Sequence, residues 1–222
     1  MTLKIETPVG EIASQFPLST RVFARHKIDF CCGGGAPLQK VCEKHGLDVH
    51  EILSEINAEV ANEEEDTQWN DVLLTDLIQH IVSKYHASLK EELPRLEMMA
   101  VKVNKVHGEK DPVRLQAIET IFSELKTELL EHMIKEEQIL FPMIAKGQFV
   151  SAVGPISVME AEHDSAGESL KKLRELTNDF TPPEGACNTW LALWHGLSVL
   201  EKDMHQHIHL ENNILFTRAL NS

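Results

Sequence analysis

Residues 132 to 142 read HMIKEEQILFP and residues 207 to 217 read HIHLENNILFT, so His-x-x-x-Glu-x-x-Ile-Leu-Phe occurs twice, 75 positions apart. Four residues make about one helical turn, roughly 6 Å along the axis. His132 with Glu136, and His207 with Glu211, therefore form two convergent imidazole–carboxylate pairs. Nitrogen and hard oxygen donors together suit a first-row transition metal (iron, zinc or manganese) better than calcium. The repetition implies two such helices facing each other.

Both pairs fall on apolar stripes. Leu115, Ile118, Phe122, Leu125, Leu129, His132, Glu136 and Leu140 follow one another at spacings of three and four, as do Trp190, Leu193, Leu197, Leu200, Met204, His207, Glu211 and Leu215. That period marks the inward face of an amphipathic helix. A carboxylate beside an imidazole costs several kcal/mol in apolar surroundings unless something compensates it, and a metal is the simplest compensation.

Two further histidines complete the set. His86 is followed by Leu93 and Leu96, and His163 by Leu170 and Leu173, at the same intervals. The domain thus reads as two helical hairpins, each giving His from one helix and His-x-x-x-Glu from the next. His86, His132, His163 and His207 with Glu136 and Glu211 exceed the needs of one tetrahedral zinc; two metals bridged by the two carboxylates use all six. Glu128 and Glu162, close to ligand histidines, are candidates to orient imidazoles or relay protons. His205, His209 and His107 fall off the inner stripe and read as surface residues. Tyr85 reads as packing.

Four long helices must position these donors. The first is expected from about Val72 to Val106, with Pro94 kinking or loosening it. The second starts at Asp111-Pro112, with Asp as cap and Pro in the first turn, and ends near Lys146-Gly147. The third is expected from Gly154-Pro155 to about Asn178, and the fourth from the capping-box spacing at Thr181-Pro182-Pro183-Glu184. The fold class is all-α: an antiparallel four-helix bundle over 72–222, a small helical domain over 1–60, and a linker over 61–71, where the sequence is acidic and aperiodic.

The N-terminal module carries Asp29-Phe30-Cys31-Cys32-Gly33-Gly34-Gly35. The glycines free the backbone to turn, placing Cys31 and Cys32 at an exposed corner. A vicinal thiol pair there suits redox or metal-transfer chemistry, although no nearby basic residue lowers a thiol pKa.

The 222 residues, 42% hydrophobic, suffice for one substantial core and an accessory domain. A formal charge of -14 without a Lys/Arg cluster argues against a nucleic-acid partner. No run approaches eighteen apolar residues and the N-terminus lacks signal-peptide character, so no membrane association and a cytoplasmic location are expected. The four cysteines are expected to be free thiols in a reducing compartment.

This constellation resembles the hemerythrin-like superfamily. With the Asp-Phe-Cys-Cys-Gly-Gly module, Tyr85-His86 and Leu210-Glu211-Asn212-Asn213, it resembles the iron-sulfur cluster repair di-iron proteins (the RIC family, also called YtfE or ScdA) over nearly the whole chain. The resemblance implies a non-haem di-iron centre, oxo- and carboxylate-bridged, held by the six residues above. It also implies a role in restoring iron-sulfur clusters damaged by nitrosative or oxidative stress, with damaged iron-sulfur proteins as partners and nitric oxide or oxygen as small ligands. A homodimer is compatible with it. Hemerythrin itself has a second histidine four residues after the first on its third helix; here that position is Gly167, which makes reversible oxygen carriage a poorer expectation. Iron donation, with Cys31 and Cys32 assisting transfer, is the leading reading; reduction of nitric oxide to nitrous oxide, and an oxygen- or nitric-oxide-sensing module, are the alternatives.

Overall fold

The computed structural model describes residues 3–60 and 69–222, and the described residues are all-α. We number the helices in chain order: α1 (Val9–Gln15), α2 (Ser19–Arg25), α3 (Leu38–His45), α4 (Val49–Val60), α5 (residues 74–107), α6 (residues 112–145), α7 (Phe149–Leu176) and α8 (residues 188–220). The chain forms two compact units: residues 1–78 with 205–222, and residues 79–204. The last 18 residues thus group with the N-terminal module, a division that the hydrophobic pattern does not announce. Of the expected linker over 61–71, residues 61–68 lie outside the described residues.

In the first unit, α1 and α3 both follow a proline with extended backbone, Pro8 and Pro37. A helix start leaves N–H groups without intrahelical acceptors, and here the two starts serve each other. Val9 and Gly10 N–H donate to the Ala36 and Gly34 carbonyls (3.0 and 2.8 Å), and Leu38 and Gln39 N–H donate to those of Thr7 and Ile5 (3.0 and 2.9 Å). This contact requires Gly34, since a Cβ there would lie 2.6 Å from the Phe30 carbonyl oxygen and 3.0 Å from Gly10 Cα. Val9, Ile12, Val22, Phe23, Phe30, Leu38, Ile52 and Ile56 form the core. The C-terminal segment joins through Asn213, whose Nδ2 donates to the Phe30 carbonyl (3.0 Å). Arg218 likewise donates to the carbonyls of Trp69 and Val72 (2.8 and 2.6 Å).

In the second unit, short connections return the chain and the apolar stripes pack inward: Leu93 and Leu96 on α5, Phe122 and Leu125 on α6, Leu170 and Leu173 on α7, Leu193 and Trp194 on α8, all nearly inaccessible. Each such side chain contributes about 1.5–3 kcal/mol by leaving water. Helices α5 and α8 approach closely at Gly196, where a Cβ would lie 2.4 Å from Leu96 Cδ2.

Among the described residues three stretches widen into π-helical turns: Ile81–His86 in α5, Glu136–Leu140 in α6 and Leu210–Phe216 in α8. Each contains or borders a candidate ligand, as π-turns do at functional sites. Ahead of His86 in α5, Leu77 and Ile81 are fully buried, while Leu74 and Ile78 are half-buried.

Several boundaries differ from expectation. Helix α7 begins at Phe149, and Pro155 lies inside it; burial of Ala152 and Ile156 on either side outweighs the cost of an interior proline, about 3 kcal/mol. Helix α8 begins at Asn188 instead of the Thr181–Glu184 spacing, because Gly185 takes a left-handed backbone (φ 76°) and Ala186 N–H closes a turn on the Pro183 carbonyl. At the start of α6, Asp111 makes no side-chain cap; its carboxylate meets Arg114 Nε at 2.6 Å.

Candidate metal centre

Four candidate donors converge inside the second unit. His86, His132, Glu136 and His163 are each at most 3% exposed. Glu136 Oε2 lies 3.4 Å from His86 Nε2, and Oε1 lies 3.3 Å from His132 Nε2. His163 Nε2 stands 3.0 Å from His132 Nε2. Donor atoms of His132, Glu136 and His163 all fall within 4.8 Å of one another. The Glu136 carboxylate therefore points one oxygen at each of two imidazoles, and neither oxygen accepts a hydrogen bond among the described residues. A buried carboxylate left so is costly. A cation between these atoms removes that cost, so the donor set fits a metal.

The far side of two imidazoles is anchored. His86 Nδ1 meets Glu137 Oε1 at 2.8 Å, and Lys90 Nζ reaches the two Glu137 oxygens at 2.7 and 3.0 Å. His132 Nδ1 meets Glu162 Oε2 at 2.8 Å, with Lys135 Nζ on Oε1 at 2.5 Å. Burial pushes both carboxyls up. For Glu137 the hydrogen bonds of Lys90 and then His86 outweigh it, and for Glu162 those of Lys135 and then His132, so both carboxyls sit below their ordinary range. Glu137, Lys90 and Lys135 escaped the sequence reading. The doublet Glu136-Glu137 was the available signal, but which helix its second member faces is a tertiary matter.

Beside this cluster lies a cavity of about 490 Å³, lined in part by His132, His163, Lys135, Glu128, Glu131 and Glu162. Glu128 is exposed on its wall and, among the described residues, accepts no hydrogen bond from an imidazole.

In the first unit, His207 and Glu211 repeat the helical pair, with Nε2 to Oε1 2.9 Å and both side chains buried. His209 is not a surface residue. It is 3% exposed, with its ring edge on Phe30 (5.5 Å) and Nδ1 3.0 Å from Asn213 Nδ2. Burial pushes its pKa down to about 4, against the opposing pull of backbone at Ala13 and Phe30. His205 is half-buried, and so is His107, which stands 3.3 Å from Cys187 Sγ through Nε2.

Cys31 does not lie at an exposed corner. It is 4% exposed, and only Cys32 is half-exposed. Asp29 Oδ1 accepts the N–H groups of Cys31 and Cys32 (3.0 Å each), and Oδ2 accepts that of Gly33 (2.9 Å). That turn draws the Cys31 side chain inward, with its sulfur 3.7 Å from Cys32 Sγ. The Cys32 hydrogen bond, burial and the Asp29 charge push the Cys31 thiol well above its ordinary range.

Residues 77–219 match the hemerythrin HHE cation-binding domain, and residues 5–60 match ScdA_N, a domain of unknown function (DUF542). The iron-sulfur cluster repair proteins YtfE of Yersinia pseudotuberculosis serotype IB (strain PB1/+) and Yersinia pestis (strain Pestoides F) are each 46% identical over 96% of this chain and 96% of their own. YtfE of Yersinia pseudotuberculosis serotype O:3 (strain YPIII) is 45% identical over the same span. The chain belongs to the YtfE family of hemerythrin-like proteins. Membership accounts for the buried His/Glu cluster as a cation site and for the module that precedes it. No helix of the described residues is long and apolar enough to cross a membrane.

Proposed function

We propose that His86, His132, Glu136 and His163, together with His207 and Glu211, hold two iron ions, and that the protein repairs damaged iron-sulfur clusters in the cytoplasm by giving up iron to them. The observation that carries the metal reading is Glu136: a fully buried carboxylate, one oxygen toward each of two imidazoles, neither satisfied by a hydrogen bond among the described residues. The sequence repeat supports adding His207 and Glu211, which have the same spacing, the same burial and a π-turn at the same place. The relatives' name supports iron-sulfur proteins as targets.

Bound iron supplies one-electron redox chemistry and, as cargo, an ion available to a damaged cluster. The protein's part is to present neutral imidazole and carboxylate donors, which hold ferrous iron less tenaciously than thiolates do and so permit release. The cavity against His132 and His163 supports entry and exit on that side. Asp29, Cys31 and Cys32 offer donor atoms within 4.8 Å of one another, which supports a transfer or docking role for the cysteine pair. The same cavity favours a second reading, reduction of nitric oxide, which needs room for two small reactants beside the metals.

Iron-loaded protein is expected to restore activity to a cluster enzyme inactivated by nitric oxide, and a Glu136→Ala variant is not. Equal recovery with free ferrous iron and reductant alone would refute donation. Nitrous oxide from the reduced protein in an anaerobic single turnover would favour the second reading.

A further inference from the structure

Of the four donors in the second unit, His86, like Glu136, is wholly inaccessible. Its ring stacks on Phe141 (centroids 5.8 Å apart), and its Nδ1 is held by Glu137. Glu137 directly follows the donor Glu136, so two adjacent carboxylates on α6 face the same imidazole from opposite sides: Glu136 at Nε2 (3.4 Å) and Glu137 at Nδ1 (2.8 Å). A glutamate so near the metal site is itself a competent ligand. Lys90, one turn beyond His86 on α5, binds both Glu137 oxygens (2.7 and 3.0 Å) and keeps them on the Nδ1 side.

We propose that Glu137, pinned by Lys90, is the positioning residue that fixes His86 with its proton on Nδ1 and its Nε2 lone pair turned toward Glu136, and that Lys90 keeps Glu137 from serving as a ligand. This rests on the metal reading above. An imidazole can donate from only one nitrogen while neutral; an anionic acceptor at Nδ1 selects the tautomer that leaves Nε2 free and raises its basicity. Glu162 and Lys135 stand in the same relation to His132. In both cases the anchoring glutamate is the chain neighbour of a donor on the following helix, Glu137 beside Glu136 and Glu162 beside His163. The repeat does not copy this: the residues aligned with Glu137 and Glu162 are Asn212 and Tyr85. At the aligned positions the second half of the repeat therefore carries an amide and a phenol where the first pair of anchors carries carboxylates.

The test is anaerobic titration of the full chain with Fe(II) against a chromophoric chelator, with Co(II) visible absorption as a second readout, in wild type, Glu137→Gln, Glu137→Asp, Lys90→Met and His86→Ala. Glu137→Gln is expected to weaken one metal equivalent about 10- to 100-fold and to alter the Co(II) bands, with Glu137→Asp recovering part of both. Lys90→Met removes a half-exposed side chain and tests the same arrangement should Glu137→Gln fold poorly; it is expected to change the Co(II) spectrum. Wild-type affinity and spectrum in both Glu137→Gln and Lys90→Met, with His86→Ala losing an equivalent, would overturn the positioning role while leaving the metal site intact. Full retention of both equivalents in His86→Ala would instead overturn the site reading on which it rests.

Discussion

Glu136 sets the energetic character of the molecule at the scale of single residues. Among the described residues its carboxylate has no hydrogen-bond donor, so it is a liability without a cation and an anchor with one. Glu136→Leu is therefore expected to be roughly 1–4 kcal/mol more stable than wild type in the presence of chelator. With metal at about 100 times Kd, wild type gains about 2.7 kcal/mol by linkage and the order shrinks or reverses; urea melts under both conditions measure it. A second residue governs pH response. Glu97 binds Lys126 (2.6 Å) and Ser123 (3.0 Å) on α6. The Lys126 hydrogen bond, opposed by burial and aided by Ser123, holds its carboxyl below the ordinary range. The unfolded chain thus binds more protons between the folded value and about 4.5. Its contribution is complete above that pH and is lost as pH falls through the folded value. Glu97→Gln should lower stability at neutral pH and flatten its decline in acid, measured by denaturant titrations at pH 7 and below 4.

At the scale of elements, the reciprocal start of α1 and α3 depends on backbone contact, which only a residue without a Cβ permits. Gly34→Ala is expected to cost on the order of 1–3 kcal/mol, because the atom its Cβ meets is the Phe30 carbonyl oxygen, which cannot swing aside. Gly35→Ala, whose Cβ would meet nothing within 4 Å, should stay within about 0.5 kcal/mol of wild type. Thermal melts of the pair separate close approach from mere glycine content. The end of α7 shows another local device. Asn178, Asp179 and Phe180 take successive left-handed conformations (φ 50–55°), with Arg174 bound to Asp179 (2.9 Å) and set against the Phe180 ring (5.2 Å). Arg174 also pairs with buried Glu201 on α8. Arg174→Met leaves that carboxylate uncompensated and should cost about 3–5 kcal/mol in the same melts.

For the molecule as a whole, grouping of residues 205–222 with the N-terminal module makes that module a support for the stretch carrying His207 and Glu211. Asn213 ties it to the Phe30 carbonyl, as Arg218 does to those of Trp69 and Val72. Asn213→Ala is expected to raise amide exchange in both the Cys31-Cys32 turn and residues 205–222 together, because an opened tie frees both. An increase confined to one of them, in exchange mass spectrometry of the full chain, would show that they are not coupled.

What the sequence determined by itself was periodicity: the all-α class, the four long helices and the burial of His86, His132, Glu136, His163, His207 and Glu211, because helical spacing alone fixes which face a residue shares. The start of α6 at Pro112 and its end at Ala145, just ahead of Lys146-Gly147, were legible from local end signals. Tertiary structure decided the rest. Burial across Ala152 and Ile156 carried α7 through Pro155, packing against Phe30 buried His209, and the Asp29 turn folded Cys31 inward. Glu137 found His86 across two helices. Each of these depends on partners distant in the chain, whose identity local spacing does not carry.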